Sequence, residues 1–267
     1  MKFPIGFAFN DESKKVEIEP LAQGVIVPVK SLVQVYFPER NQILTYFNDQ
    51  FDLKRGNFVF VDGKLEGIRG IVREVNKNFK IKLADYKKII SVADTNVSGQ
   101  MYMAGSHIVS FDAAVLPYKK IRTWYLPPVK PEDEYETGND DTVIVLDKLG
   151  DMKVSQAVWE RGREYYVDNH VRYICVDAGH GKAIVEGEHA YEVEFDFADG
   201  EIHNLICSCP CGYTCKHEVA TMMQLKETLE LIEKHYADMH HNYFTAIIKS
   251  DLFRFVIDSR ETGSFTL

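Results

Sequence analysis

The sequence predicts an α+β protein: a mostly-β, small barrel-like N-terminal domain, then an antiparallel sheet that runs through a cysteine knuckle into C-terminal amphipathic helices. Three observations predict it. Short β-branched and aromatic runs, closed by turn signals, crowd the first 75 residues. An Asp-Gly pair at 199–200 joins two further runs, and the second delivers the chain into four cysteines and a histidine within eleven residues, 207–217. Downstream, apolar residues recur at three- and four-residue steps, the spacing of one helix face.

The first strands are expected at Gly24 to Val29, Val33 to Phe37, Ile43 to Phe47 and Phe58 to Val61. Pro38, Asn41, Gly56 and the Asp62-Gly63 pair separate them. Leu65 to Val75 and Asn78 to Leu83 add two runs of mixed apolar and basic character, and so many short strands at close spacing predict a small, strongly bent barrel. Basic residues concentrate here: Lys54, Arg55, Lys64, Arg69, Arg73, Lys77, Lys80, Lys82, Lys87 and Lys88, with Phe51, Phe58, Phe60, Phe79 and Tyr86 among them. Positive charge beside aromatic rings suits a phosphate backbone with stackable bases. The interspersed Asp52, Asp62, Glu66, Glu74 and Asp85 suit a solvated barrel face instead. The stretch from Tyr46 to Gly70, with Leu53 to Val61 leading to Gly67-Ile68-Arg69-Gly70, resembles small nucleic-acid-associated barrels such as the C-terminal domain of the polymerase-suppressor family.

Leu126-Pro127-Pro128-Val129-Lys130-Pro131 is followed by Glu132, Asp133, Glu134, Glu136, Asp140 and Asp141 with little that is apolar. A stretch rich in proline and acid and poor in core residues reads as a linker. The expected domains are therefore 1–126 and 142–267, joined by 127–141, in a chain of 267 residues, long enough for two cores. Charge divides across the linker. Residues 1–130 hold 19 Lys and Arg against 13 Asp and Glu, and residues 131–267 hold 12 against 27, so the net −9 combines a basic first part with a strongly acidic second. No window has the roughly 18 apolar residues of a membrane span. Asn10, Asp11 and Glu12 interrupt the start where a signal peptide needs apolar length, so a cytoplasmic protein without membrane contact is expected. Five clustered cysteines in such a chain do not make a disulfide scaffold.

In the second part, strands are expected at Val171 to Val176, Ala183 to Glu186, Tyr191 to Phe197 and Ile202 to Ile206. Asp199-Gly200 provides the two positive-φ residues that a type I′ hairpin needs. The last strand leads into Cys207-Ser208-Cys209-Pro210-Cys211-Gly212-Tyr213-Thr214-Cys215-Lys216-His217. Thiolates and imidazoles are the donors of a tetrahedral metal site, and two short elements around a tight loop bring them together with little loss of loop entropy. Five donors compete for four places. Beyond the cluster, Met222, Leu225, Leu229, Ile232 and Tyr236 define an amphipathic helix that begins at the last donors.

The arrangement Cys207-x-Cys209, five residues, Cys215-x-His217 resembles the SWIM zinc finger, whose pattern is CxC, a variable gap and CxH. The lead-in is similar as well, through Arg161-Gly162-Arg163-x-Tyr165-Tyr166, Ala183-x-Val185-x-Gly187 and Tyr191-x-Val193. The resemblance implies one structural Zn2+ held by Cys207, Cys209, Cys215 and His217. Cys211 is outside the family pattern, and a set of Cys209, Cys211, Cys215 and His217 is the alternative. It also implies a nucleic-acid-binding accessory module, DNA before RNA, as found in front of bacterial SWI/SNF-type helicase motors. On that reading the chain is the front of a longer protein, ending at Gly263-Ser264-Phe265-Thr266-Leu267 like a strand without its partner.

Other features carry less chemistry. Asp177-Ala178-Gly179-His180-Gly181-Lys182 lacks the spacing and the Ser or Thr of a phosphate loop and reads as a hairpin turn. His235, His240 and His241 read as helix-end polarity, His203 as a neighbour of the knuckle, and Cys175 as a small buried hydrophobe. No nucleophile–base order or carboxylate pair stands out, so neither an enzyme nor a small-molecule substrate is expected. Candidate nucleic-acid contacts are Lys54, Arg55, Arg69 and Arg73 on the barrel, or Arg161, Arg163 and Lys216 beside the knuckle, with Arg172 and Lys182 near them. The alternative function is a zinc-stabilised protein-interaction adaptor without nucleic-acid contact, because an acidic zinc domain repels phosphates at long range.

Overall fold

The computed structural model describes residues 30–130 and 142–258. It is an α+β protein with two antiparallel sheets. The strand expected at 24–29, most of the 127–141 linker and the terminal 263–267 segment lie outside the described residues.

The smaller sheet contains β1 (Ser31–Phe37), β2 (Gln42–Asn48), β3 (Phe58–Val61), β4 (Gly70–Asn76) and β5 (Ile89–Ala93), in the order β2-β1-β4-β3-β5. Alternation in β1 buries Val33, Val35 and Phe37, which pack on Tyr46, Val59, Val61, Val72 and Ile89. Each fully buried side chain of this kind stabilises the fold by about 1.5–3 kcal/mol. The small barrel expected from the sequence does not close. One parallel bridge, Phe47 to Lys88, touches the outer strands together, and among the described residues no ladder closes the sheet. The reason is local. Turns at Gly63 and Gly67 occupy the start of the run expected at 65–75, so β4 begins only at Gly70, and the run expected at 78–83 forms no strand.

The larger sheet contains β6 (Tyr102–Ala104), β7 (His107–Ser110), β8 (Ile144–Val145), β9 (Val171–Asp177), β10 (His180–Glu186), β11 (Ala190–Ala198), β12 (Glu201–Cys207) and β13 (Tyr243–Ile248). Their order is β6-β7-β13-β9-β10-β11-β12-β8. β7 pairs with β13, so this sheet takes strands from both sides of residues 127–141. Both tight hairpins form as the dipeptides require: Ala178 and Gly179 have φ of 47° and 88°, and Asp199 and Gly200 have 52° and 81°.

Alternation along β9 and β10, with a register shift that sets Val171 rather than Arg172 opposite Val185, sends Val171, Ile174, Val176, Ala183 and Val185 to one face, and Tyr173, Cys175 and Ile184 to the other. The first face is covered by α2 (Gln156–Val167) and α3 (Lys216–Tyr236), the latter through Val219, Ala220, Met222, Leu225 and Ile232. The second face is covered by α1 (Tyr118–Tyr125) and α4 (Lys249–Asp258), which bring Trp124 and Phe255 against Phe58 of the smaller sheet. No helix among the described residues is long and apolar enough to cross a membrane.

Candidate metal centre

Three rigid pieces position the cluster. The β11–β12 hairpin carries Cys207 to the sheet end opposite Val193. Ser208 is then fixed twice to Glu192: its N–H donates to the Glu192 carbonyl at 2.9 Å, and its Oγ accepts from the Glu192 N–H at 2.9 Å. Cys209 folds back, its N–H donating to Cys207 Sγ at 3.4 Å. The chain turns through 210–214 and enters α3 with Cys215 at the N-cap and His217 in the first turn. Glu218 Oε2 accepts from the Cys215 N–H at 2.6 Å, the return arm of a capping box.

The ligand atoms of Cys207, Cys209, Cys215 and His217 all lie within 4.8 Å of one another, and the four could hold one metal ion. His217 Nδ1 faces the cluster, 3.7 Å from Cys207 Sγ and 3.6 Å from Cys215 Sγ. Its ring is held on both sides: Tyr191 stacks on it at 4.4 Å and Tyr165 meets it edge-on at 5.5 Å. Cys209, Cys215 and His217 are buried. Cys211 is exposed and outside the group, and Tyr213 beside it is 91% exposed.

The electrostatics of the cluster favour a cation. The Cys207 thiol donates to Cys215, and this with the neighbouring His217 holds Cys215 down to about 4 against the opposing effect of burial. The same hydrogen bond and burial drive Cys207 far up, and burial lifts Cys209 to about 12. Cys215 lies at the α3 N-terminus, where the helix dipole favours a thiolate. A cation at the centre lets all three ionise together. Burial, and then the charge of Cys215, raise Glu218 to about 8.

Helix α2 completes the surroundings. Gly162 is buried against α3, where a Cβ would stand 2.5 Å from Val219 Cγ1 and 3.1 Å from the Lys216 carbonyl. This close approach leaves Arg161 and Arg163 exposed on either side, without an ion pair among the described residues. Lys216 donates to the Tyr165 hydroxyl at 2.6 Å.

The remaining candidates are dispersed. Lys54 and Arg55 lie on an exposed turn before β3, and Arg73 is exposed with its guanidinium 4.8 Å from the Tyr36 ring centre. Arg69 is drawn inward, donating to the Trp124 carbonyl at 2.8 Å and to Glu186 at 3.3 Å. Arg172 pairs with Glu186 at 2.7 Å and Lys182 with Glu194 at 2.8 Å. Cys175 is buried, and burial lifts it to about 11. The sequence marks Tyr165 and Tyr191 only as part of the SWIM-like lead-in and not as partners of His217, and it leaves Glu218 unmarked, although the Cys215-x-x-Glu218 spacing is that of a capping box. The chain matches no protein-family model, no curated protein and no solved structure.

Proposed function

We propose that Cys207, Cys209, Cys215 and His217 hold one structural zinc ion in a SWIM-type module, and that the module serves nucleic-acid binding, DNA before RNA, as an accessory part of a larger helicase-type machine. The observation that carries this reading is the convergence of three thiols and one imidazole from a strand end and a helix N-terminus. That donor set suits a borderline-soft ion, and four protein donors leave no position for a reactive water. The ion's contribution is then to folding, by joining the hairpin to α3.

The binding surface on this reading is the outer side of the knuckle. Arg161, Arg163 and Lys216 supply charge there, and the exposed ring of Tyr213 supplies a stacking surface. Arg69, Arg172 and Lys182 are engaged with carboxylates. The test is fluorescence anisotropy with labelled single- and double-stranded DNA and RNA between about 50 and 200 mM salt, where phosphate contacts lose affinity steeply. Arg161→Glu with Arg163→Glu is expected to weaken binding at least about tenfold. Unchanged affinity in that variant would overturn the surface. Silence of the wild-type chain at low salt would favour the second reading, a protein-docking adaptor, which the net −15 of residues 131–267 supports.

A further inference from the structure

Where the end of α3 meets the edge strand β6, a hollow of about 290 Å³ opens to solvent, lined by Gln100, Tyr102, Ser110, Phe111, Asp112 and Met239. The ring centres of Tyr102 and Phe111 are 5.9 Å apart with the planes inclined at 37°. A third ring, Tyr236, lies 5.3 Å from Tyr102 and 6.0 Å from Phe111. The rings are tilted rather than stacked, so Tyr102 and Phe111 do not cover each other's faces, and both line the hollow. Hydrogen bonds fix these walls as they stand. The Tyr102 hydroxyl donates to Gln100 Oε1 at 3.1 Å, the Tyr236 hydroxyl to the Met103 carbonyl at 2.8 Å, and Ser110 Oγ to the Gln100 carbonyl at 2.8 Å. The charge of the hollow is negative. Asp112 is exposed, accepts only from the Ala114 N–H at 2.9 Å, and has no ion pair among the described residues. No Lys or Arg is in the lining. Burial, and then His241, hold His240 below the ordinary imidazole range, so this ring, 6.1 Å from Phe111, adds no positive charge at neutral pH. α3 ends at Tyr236, and a helix C-terminus carries partial negative charge.

We propose that this hollow binds a trimethylammonium group, carried by a small quaternary amine or by a methylated lysine side chain. Ring faces beside a carboxylate are the surroundings that a quaternary ammonium prefers, because its charge is spread over methyl groups and it gives up water cheaply. A hard metal ion needs several oxygen donors, which one carboxylate does not supply. An unmethylated ammonium is a compact, strongly hydrated charge and gains less from ring faces. The volume is at the lower end of the roughly 300–1,000 Å³ of pockets that enclose drug-sized ligands, so it suits a headgroup rather than a nucleotide. α3 is 21 residues long, which puts the hollow about 30 Å from the thiol cluster at its other end. The proposal is therefore independent of the zinc reading.

The experiment titrates the full chain with choline and, separately, with an amide of trimethyllysine, followed by nuclear magnetic resonance. The N-methyl protons are expected to shift upfield under the ring currents, while the Tyr102 and Phe111 ring signals and the amides of 110–112 and 239 move together. The neutral alcohol in which a tert-butyl group replaces the trimethylammonium of choline should bind at least about fivefold more weakly, since it keeps the shape and loses the charge. Phe111→Leu keeps apolar bulk but removes a ring face, and Asp112→Asn changes only an exposed charge; each should weaken choline by about threefold to tenfold and bring it closer to the neutral alcohol. Backbone signals away from the hollow should stay in place in both variants. Tighter binding of choline assigns a small amine and tighter binding of the trimethyllysine amide assigns a protein tail, and either upholds the site. Equal affinity for choline and its neutral counterpart, unaltered choline affinity in both variants, or no shift in the wild-type chain would each overturn it.

Discussion

Residues 54–88 and 207–217 are the two stretches where this chain concentrates reactive or charged side chains, and they use them in opposite ways. In the first, four of the ten basic residues serve separate local tasks. Arg69 joins the smaller sheet to α1 and β10, Arg73 lies over Tyr36, and Lys77 and Lys88 pair with Asp52 and Asp49. In the second, four donors from a strand end and a helix start meet within 4.8 Å. Side chains converge when short spacings are fixed to the ends of rigid elements, and they scatter when they lie along turns and loops. Density of one residue type is therefore weak evidence for a surface, and spacing on element ends is stronger evidence for a site.

The contrast breaks most decisively at the cluster. On the zinc reading, Cys209→Ser and Cys215→Ser each lose the ion, whose binding supplies on the order of 10 kcal/mol to folding in small zinc sites. The expected outcome is loss of bound zinc and of amide-exchange protection in α3 and β12. The smaller sheet, with its own core, should retain protection. A strong chelator should reproduce the effect in the wild-type chain. Retention of one zinc equivalent by Cys215→Ser would refute the ligand set.

A smaller but substantial effect is expected at Arg69. Its guanidinium lies 5.2 Å from the Tyr125 ring centre and 5.3 Å from that of Phe255, while its nitrogens satisfy Trp124 and Glu186. Arg69→Met keeps much of the volume but strands the Trp124 carbonyl and leaves Glu186 to Arg172 alone. A loss of about 2–4 kcal/mol in denaturant unfolding is expected, with zinc content unchanged. A loss below about 0.5 kcal/mol would show that Arg69 is an ordinary surface cation after all.

What the sequence disclosed follows the same division. β1, β2 and β3 were legible because alternation and turn residues are local, and the 199–200 hairpin because Asp-Gly tolerates positive φ. The start of α3 at the last donors was legible from the stripe through Met222 and Tyr236. β6 and β7 are three and four residues long, and β7 pairs with a strand from the far end of the chain, so no local pattern marks them. Five clustered donors were legible from spacing, and the choice of Cys207, Cys209, Cys215 and His217 among them came from the SWIM resemblance. The aromatic seat of His217 was not, because Tyr165 and Tyr191 arrive from α2 and β11, and only the folded chain brings them to one imidazole.

Gly162 tests how tightly the second region is built. The Cβ of Gly162→Ala would overlap Val219 and crowd the Lys216 carbonyl one residue from a donor. Overpacking of this kind costs about 1–3 kcal/mol. Part of the loss should appear as weaker zinc retention under a mild chelator, because α2 and the first turn of α3 must separate. An unchanged midpoint and unchanged retention would mean that α2 packs independently of the metal site.

The smallest effect is expected at Cys211, the fifth donor. It shares the loop with Cys209 and Cys215, yet it is exposed and outside the group of four, because the turn through 210–214 points it away from the hairpin and the helix that aim the others inward. Cys211→Ser exchanges one small exposed side chain for another and should alter stability by less than about 0.5 kcal/mol. Zinc stoichiometry should stay at one equivalent, while Cys207→Ser under the same conditions loses it. If Cys207→Ser instead keeps its zinc and the double variant with Cys211→Ser does not, the loop can turn Cys211 inward, and convergence would depend on the whole knuckle rather than on the strand end.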